Sequence, residues 1–494
     1  MHSHLNKIRS SKNQQSREQR AGARSALPKK ATPVKVKRAA KTRPLPVEPA
    51  EDCGGFFTLL WERISQSELE RLNQRNHPAG RPTHVLARWQ LVVGVLFRYT
   101  LSTAGTLGQN LWILFSIKMA ESSLSERRQA LPFEVFEELL KRVLRPIEKM
   151  KNKGQAYYRH WRLVAVDGVG FSLPNNESIR QSNCRKGGNQ HGRAGFAKLT
   201  CAVLLELVMH NPLAAALGRN GESEWKLAQR LIQQVPAGSL LLADRLYGCG
   251  AFVASLLKEF KGSDSHFLLR VKDGLKARRL KNLSDGSQLV QVEALEPGDT
   301  HRVAATVKVR EVRATIQRRG FPPVFIRLWT SLLDPRQAPA DELVRLYAQR
   351  WEQELYFREL KSSLGVNDLL HSQTIETATQ EVAAMIIGSS LVAHERAKLK
   401  TGEVLQHRIS LIKTWEILEP LWLTLLLGAD ILSEEQKQQL CERFYRLAAR
   451  RRMAKKRCRT CPRVMRQPRQ QFPRKRNQKS STAPIRIKLA RNFL

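Results

Sequence analysis

The sequence predicts an α/β protein whose strand–helix core is preceded by a helical domain, interrupted by a β-rich insertion and flanked by two basic arms. Three observations predict it. Apolar residues recur at helical spacing through residues 51–150. From Trp161 the pattern changes to short apolar runs alternating with helical ones, as in a strand–helix core. Charge collects at both ends: of the formal net charge of +40, residues 1–50 carry +11 and residues 450–494 carry +17, leaving +12 for the middle.

Residues 1–50 are rich in Lys, Arg, Ser, Gln and Pro and poor in large apolar residues, so a disordered basic arm is expected. Residues 51–155 read as a helical domain, with helices over Asp52–Arg71, Arg88–Leu101 and Phe133–Val143 and a helical pair over Leu107–Lys118 and Glu121–Leu131. Residues 156–272 read as the first part of the core. Leu163–Gly168 is a strand ending in an acid and a glycine, and Lys198–Met209 and Pro212–Leu217 are a strand and its partner. Ser223–Val235 is a helix broken by Pro236-Ala237-Gly238, and Ser239–Asp244 is a buried strand again ending in an acid. Phe252–Phe260 is a helix and His266–Val271 a strand. Residues 273–335 are the insertion, with strands over Gln288–Val292, Arg302–Val309 and Val324–Leu332. Residues 336–449 finish the core with helices, the first opening at Asp341 and Glu342 and running to about Leu364. The tail, 450–494, has four prolines and no acid and is expected to be disordered.

The 42% hydrophobic content excludes disorder throughout. No apolar run reaches 18 residues and the N-terminus is too polar for a secretory signal, so a membrane span is not expected and a cytoplasmic, nucleoid-associated chain is. Basic ends on a basic body suit a polyanion, nucleic acid before acidic lipid, because no amphipathic basic helix with an aromatic face stands out. Seven irregularly spaced cysteines do not form a disulfide pattern. Cys458 and Cys461 are a lone Cys-x-x-Cys, short of the four ligands of structural zinc.

Asp167 and Asp244 each end an apolar strand. Carboxylates at neighbouring strand ends can share divalent ions, about 3.5–4 Å apart in two-ion phosphodiester chemistry. A strand-end Asp can equally cap a turn or helix. A third acid should come from the helix over 341–364. At about 100° per residue, Val344, Ala348, Trp351 and Leu355 form a core-facing stripe, and Glu352 and Glu359 turn towards solvent. Tyr347, Arg350, Glu354 and Lys361 fall within roughly a 60° arc beside the stripe. Glu354 is thus the acid at the core margin, unless Arg350 and Lys361 merely flank it in a surface salt-bridge face.

Those four residues have the spacing Tyr-x2-Arg-x3-Glu-x6-Lys, and the chain resembles DDE transposases of the insertion-element-four family over about residues 85–400. Val166-Asp167-Gly168 is similar to the family's first acidic motif and Ala243-Asp244-Arg245-Leu246-Tyr247 to its second. Val169 departs from the Thr or Ser often found after Asp-Gly, and the two basic ends exceed what the family predicts. The resemblance implies an RNase H-like fold, with the insertion between the second and third acids. It implies that Asp167, Asp244 and Glu354 bind two Mg²⁺ or Mn²⁺ ions. It also implies that Tyr347, Arg350 and Lys361 hold DNA, and that terminal inverted repeats are cut and joined to target DNA by a synaptic homodimer. Arg245 and Tyr247 are further DNA candidates. Trp329 either steadies an extruded nucleotide or is an ordinary core tryptophan. The loop with Gly187 and Gly188 is a backbone-contact candidate, and residues 51–150 would read the repeats. A DNA-binding protein without catalysis and a nuclease without strand transfer remain the alternatives.

Overall fold

A computed structural model describes residues 56–75, 86–101, 105–147, 156–184, 196–296, 302–317, 322–363, 369–399, 409–451 and 486–489. The N-terminal arm, the glycine loop at 187–188 and Cys458 and Cys461 lie outside the described residues.

Six helices come first: α1 (Phe56–Trp61), α2 (Gln66–Arg75), α3 (Arg88–Leu101), α4 (Leu107–Phe115), α5 (Glu121–Gln129) and α6 (Phe133–Val143). The strand–helix region follows with β1 (Tyr157–Tyr158), β2 (Trp161–Ser172), α7 (Glu177–Gln181), β3 (Lys198–Glu206), β4 (Asn211–Leu217), α8 (Glu224–Leu231), β5 (Ser239–Ala243), α9 (Gly250–Glu259) and β6 (His266–Arg270). Next come β7 (Arg278–Asn282), β8 (Gln288–Leu295), β9 (Val303–Gln317) and β10 (Val324–Thr330). The chain closes with α10 (Ala340–Tyr347), α11 (Trp351–Ser363), α12 (Ile375–Lys398), α13 (Leu411–Leu427), α14 (Glu434–Arg450) and β11 (Arg486–Leu489).

All the strands join one mixed sheet in the order β4-β3-β2-β5-β6-β10-β9-β8-β7, with β1 on β2 and β11 on β9. Among the described strands, parallel pairing is confined to β2, β5 and β6 at its centre. The reason is compositional. Ser239-Leu-Leu-Leu-Ala243 is buried along its whole length, as a central parallel strand covered on both faces must be. Alternation sends Leu240 and Leu242 to one face and Leu241 and Ala243 to the other. The second face is covered by α8 and α9, which contribute Leu227, Leu231, Phe252 and Leu256.

The first face is covered by α10–α14 and also by the early helices, which share one apolar cluster with the sheet. Hence α3 and α6 pack against α12 rather than closing on one another in a separate bundle. Burial of α12 on every side from Thr377 to Ala393 explains this, since such a helix must be wrapped by neighbours.

The insertion is no separate unit, because β10 pairs with both β6 and β9 and so extends the central sheet. The basic tail is not wholly irregular either. Where β8 leaves the edge of β9 at Glu311, β11 takes it over from Ala314 to Gln317 and covers backbone groups that would otherwise be open.

The single long helix expected over 341–364 is two helices joined by a 3-10 turn, Ala348–Arg350. That turn has about three residues per turn, which shifts the phase of everything after it. Trp351, expected in the core-facing stripe, is 56% exposed, while Gln353, Tyr356 and Leu360 are buried instead.

Candidate active site

Asp167 does not end its strand. Val169 and Phe171 keep the apolar alternation going to Ser172, paired with β3. What ends there is the neighbour: β2 and β5 run parallel, with Val166 beside Ala243, so Asp167 and Asp244 are the next residues side by side. Strand spacing is about 4.8 Å, so the carboxylates feel each other. Burial first, then the Asp244 charge, pushes the Asp167 carboxyl up to about 7, against the pull of the Gly168 amide and Arg350. Asp244 has the local partner expected after a strand, its Oδ1 accepting from the Leu246 amide at 2.6 Å.

The α10–α11 pair crosses the face of the sheet beside this point. Tyr347 is buried, with its hydroxyl donating to the Ala243 carbonyl at 3.3 Å. Arg350 lies between two acids: Nη1 is 3.3 Å from Asp167 Oδ2 and Nη2 is 2.6 Å from Glu354 Oε1. Lys361, farther along α11, has its ammonium 5.6 Å from the centre of the Phe171 ring of β2. Tyr347 thus sits at the end of β5, Arg350 ties Asp167 to Glu354, and Lys361 lies against Phe171 of β2.

The other expected DNA contacts divide. Arg245 is exposed beside the acids. Tyr247 is buried, and its hydroxyl donates to Glu224 Oε1 at 2.8 Å, so the phenol faces inwards. Trp329 is fully buried on the face covered by α8 and α9, where its indole donates to Glu311 Oε2 at 2.8 Å. It is placed as a core tryptophan, because alternation along β10 sends it to the face opposite Leu328.

Glu352 and Glu359 do not turn towards solvent. Both reach His210, whose Nδ1 is 2.5 Å from Glu359 Oε2 and whose Nε2 is 3.2 Å from Glu352 Oε2. His210 sits at positive φ between β3 and β4, so no periodicity could have paired it with a helix 140 residues away. Glu224 was equally invisible, because an acid after the Ser223 N-cap reads as an ordinary first-turn residue.

Oxygen-only donors such as these suit hard divalent ions. Among the described residues, however, no three acidic, His or Cys side chains converge closely enough to hold one ion. Arg350 occupies the place between Asp167 and Glu354 and is the cation they share. Ion binding by all three acids therefore requires this guanidinium to move aside.

Residues 161–389 match the family model described as a transposase DDE domain, a span holding Asp167, Asp244, Glu354 and Lys361. The chain is similar to the transposase InsG for insertion sequence element IS4 of Escherichia coli strain K12, with 28% identity over 254 residues, 49% of this chain and 54% of that protein. It is also similar to the putative transposase InsZ of the same organism, with 23% identity over 203 residues, 40% of this chain and 63% of that one. The chain thus spans about half the length of the first of these relatives and somewhat more of the second.

Proposed function

For a chain that carries a transposase DDE domain of the insertion-element-four family, we propose cut-and-paste DNA transposition: cleavage at element ends and strand transfer into target DNA. The observation that carries this reading is the parallel register that sets Asp167 beside Asp244, with Glu354 joined to Asp167 through Arg350. The strand order β4-β3-β2-β5-β6, with only its last three strands parallel, supports an RNase H-like core.

Asp167, Asp244 and Glu354 would hold two Mg²⁺ or Mn²⁺ ions. Such ions, when bound, activate the attacking water or 3′-hydroxyl and stabilise the leaving oxygen. The chain's own residues do the rest. Tyr347 anchors α10 to the end of β5, which sets the distance from the aspartates to Glu354. Arg350, displaced from the acids, can fork a DNA phosphate, and Lys361 and Arg245 add positive charge along the path. The net charge of +40 favours binding of a polyanion, and the early helices are the segment assigned to the terminal repeats. Two copies would pair the two element ends.

A strand-transfer assay with the element's own flanking ends and Mg²⁺ tests the reading. Cutting and joining should both require metal, and Asp167→Asn, Asp244→Asn or Glu354→Gln should each lower them by on the order of 100- to 1000-fold. Full activity in these variants overturns the triad. Binding without cutting in the wild type makes the chain a DNA-holding protein, and cutting without joining makes it a nuclease.

A further inference from the structure

Three features remain unused by that mechanism: a glycine inside a strand at 168, a buried tyrosine beside the acids at 247, and Glu224. Gly168 makes no turn, being paired in register with Ala202 in the middle of β2. A Cβ on it would lie 2.2 Å from Glu224 Cδ and 2.3 Å from Glu224 Cγ, well inside van der Waals contact. Side chains alternate across a strand, so Asp167 faces α11 and residue 168 faces α8. With no side chain at 168, the first turn of α8 lays Glu224 across the gap, against the residue that follows Asp167. The buried Tyr247 hydroxyl donates to Glu224 Oε1 at 2.8 Å, which fixes where the carboxylate lies. Among the described residues no cation pairs with Glu224. It therefore adds a carboxylate to a centre that already has two adjacent aspartates, where Arg350 is shared between Asp167 and Glu354.

We propose that Glu224 is a fourth carboxylate of the acidic centre, a positioning residue that helps hold a divalent ion or its water shell beside Asp167 from the α8 side. Tyr247 sets its rotamer and Gly168 supplies its space. This rests on the DDE reading and adds a residue to it. It also accounts for two positions of the acidic motifs by shape: residue 168 must lack a side chain, and residue 247 must be a long donor that stays dry.

The test is Mn²⁺ titration of the full chain without DNA, followed by paramagnetic resonance of the free ion, beside the metal dependence of cutting. Glu224→Gln should weaken Mn²⁺ binding by roughly 10- to 100-fold, and raised Mn²⁺ should restore cutting. The unfolding temperature should not fall, and metal-free binding to element ends should persist. Tyr247→Phe should shift the titration in the same direction by less, and Gly168→Ala should match or exceed Glu224→Gln. Wild-type Mn²⁺ affinity and wild-type metal dependence of cutting in Glu224→Gln overturn the proposal. Should that variant fail to fold, wild-type affinity in both Glu224→Asp and Tyr247→Phe overturns it instead. A wild-type chain that neither binds Mn²⁺ nor cuts DNA sinks the DDE reading itself, whereas a cutting wild type with an indistinguishable Glu224→Gln sinks only the role of Glu224.

Discussion

Two edges of helix α11 carry the same chemistry in opposite states. On one edge Glu352 and Glu359 close on His210, which is 4% exposed. Both ring nitrogens face carboxylates, which favours the protonated imidazole. The buried Arg396, which donates to the Ile409 and Met209 carbonyls, adds a second positive charge nearby. Among the described residues the two acids thus face two cations. On the other edge Glu354 and Asp167 share one guanidinium, with Asp244 and Glu224 beyond it. Among the described residues both ion pairs of that edge run to Arg350, and it is open to solvent at Glu354. The first edge fixes the helix, and the second is left wanting a cation.

The largest expected effect breaks the closed edge. His210→Ala leaves two acids without their partner and should cost about 3–5 kcal/mol, read by urea unfolding. The imidazole's proton affinity is raised because the Glu352 and Glu359 hydrogen bonds outweigh its burial. Its stabilisation is therefore full below the unfolded histidine range and is lost as pH rises through the folded value. A wild-type unfolding curve that does not weaken on that upward passage would refute the charged His210. Loss of His210 should also lower activity only in proportion to the folded fraction.

The open edge should respond with the opposite sign. Asp167 is raised from 3.8 to about 7, so the folded state binds a proton that the unfolded state lacks, and stability falls as pH climbs across that window. Asp167→Asn should then stabilise the metal-free protein at pH 8 by at most about 4 kcal/mol, at about 1.36 kcal/mol per pH unit. At acid pH the gain should vanish. Unfolding in the presence of a chelator, at the two pH values, decides it, and a destabilised Asn variant at pH 8 would mean that the aspartates do not strain each other.

Arg350→Ala sharpens the contrast. Without the shared guanidinium the metal-free chain should lose about 1–3 kcal/mol, and Mg²⁺ should then raise its melting temperature more than it raises that of the wild type. Equal shifts in the two proteins would show that Arg350 does not stand in the cation's place. The smallest effect belongs to Trp329→Phe. It removes one hydrogen bond to Glu311, which Arg327 and Arg313 also hold, and should cost about 1 kcal/mol with cutting unchanged. A selective loss of cutting at element ends would instead restore the nucleotide-steadying role.

Legibility followed the range of the interaction. The bounds of α3 and α6 could be read to the residue, because each has an apolar stripe at helical period. Strand β5 was plain from three consecutive leucines, and its acid stood at the end as expected. The stripe on the Glu354 helix misled after residue 347, since a single 3-10 turn changes the angle of all that follows. Strand β7, with every residue exposed, has no apolar pattern to betray it.

The amino-acid sequence alone indicated most of the strands and helices, the surplus of positive charge, and three candidate acids with their Tyr, Arg and Lys companions. These depend on residue type and short spacing, which a chain carries whether or not it is folded. Only the tertiary structure decided that Asp167 lies mid-strand beside Asp244, that Arg350 bridges the acids, that His210 closes on α11, and that Glu224 enters over Gly168. Each of these joins groups far apart in the chain, and their contact is set by sheet register and by the shape left between packed faces, neither of which any one segment contains.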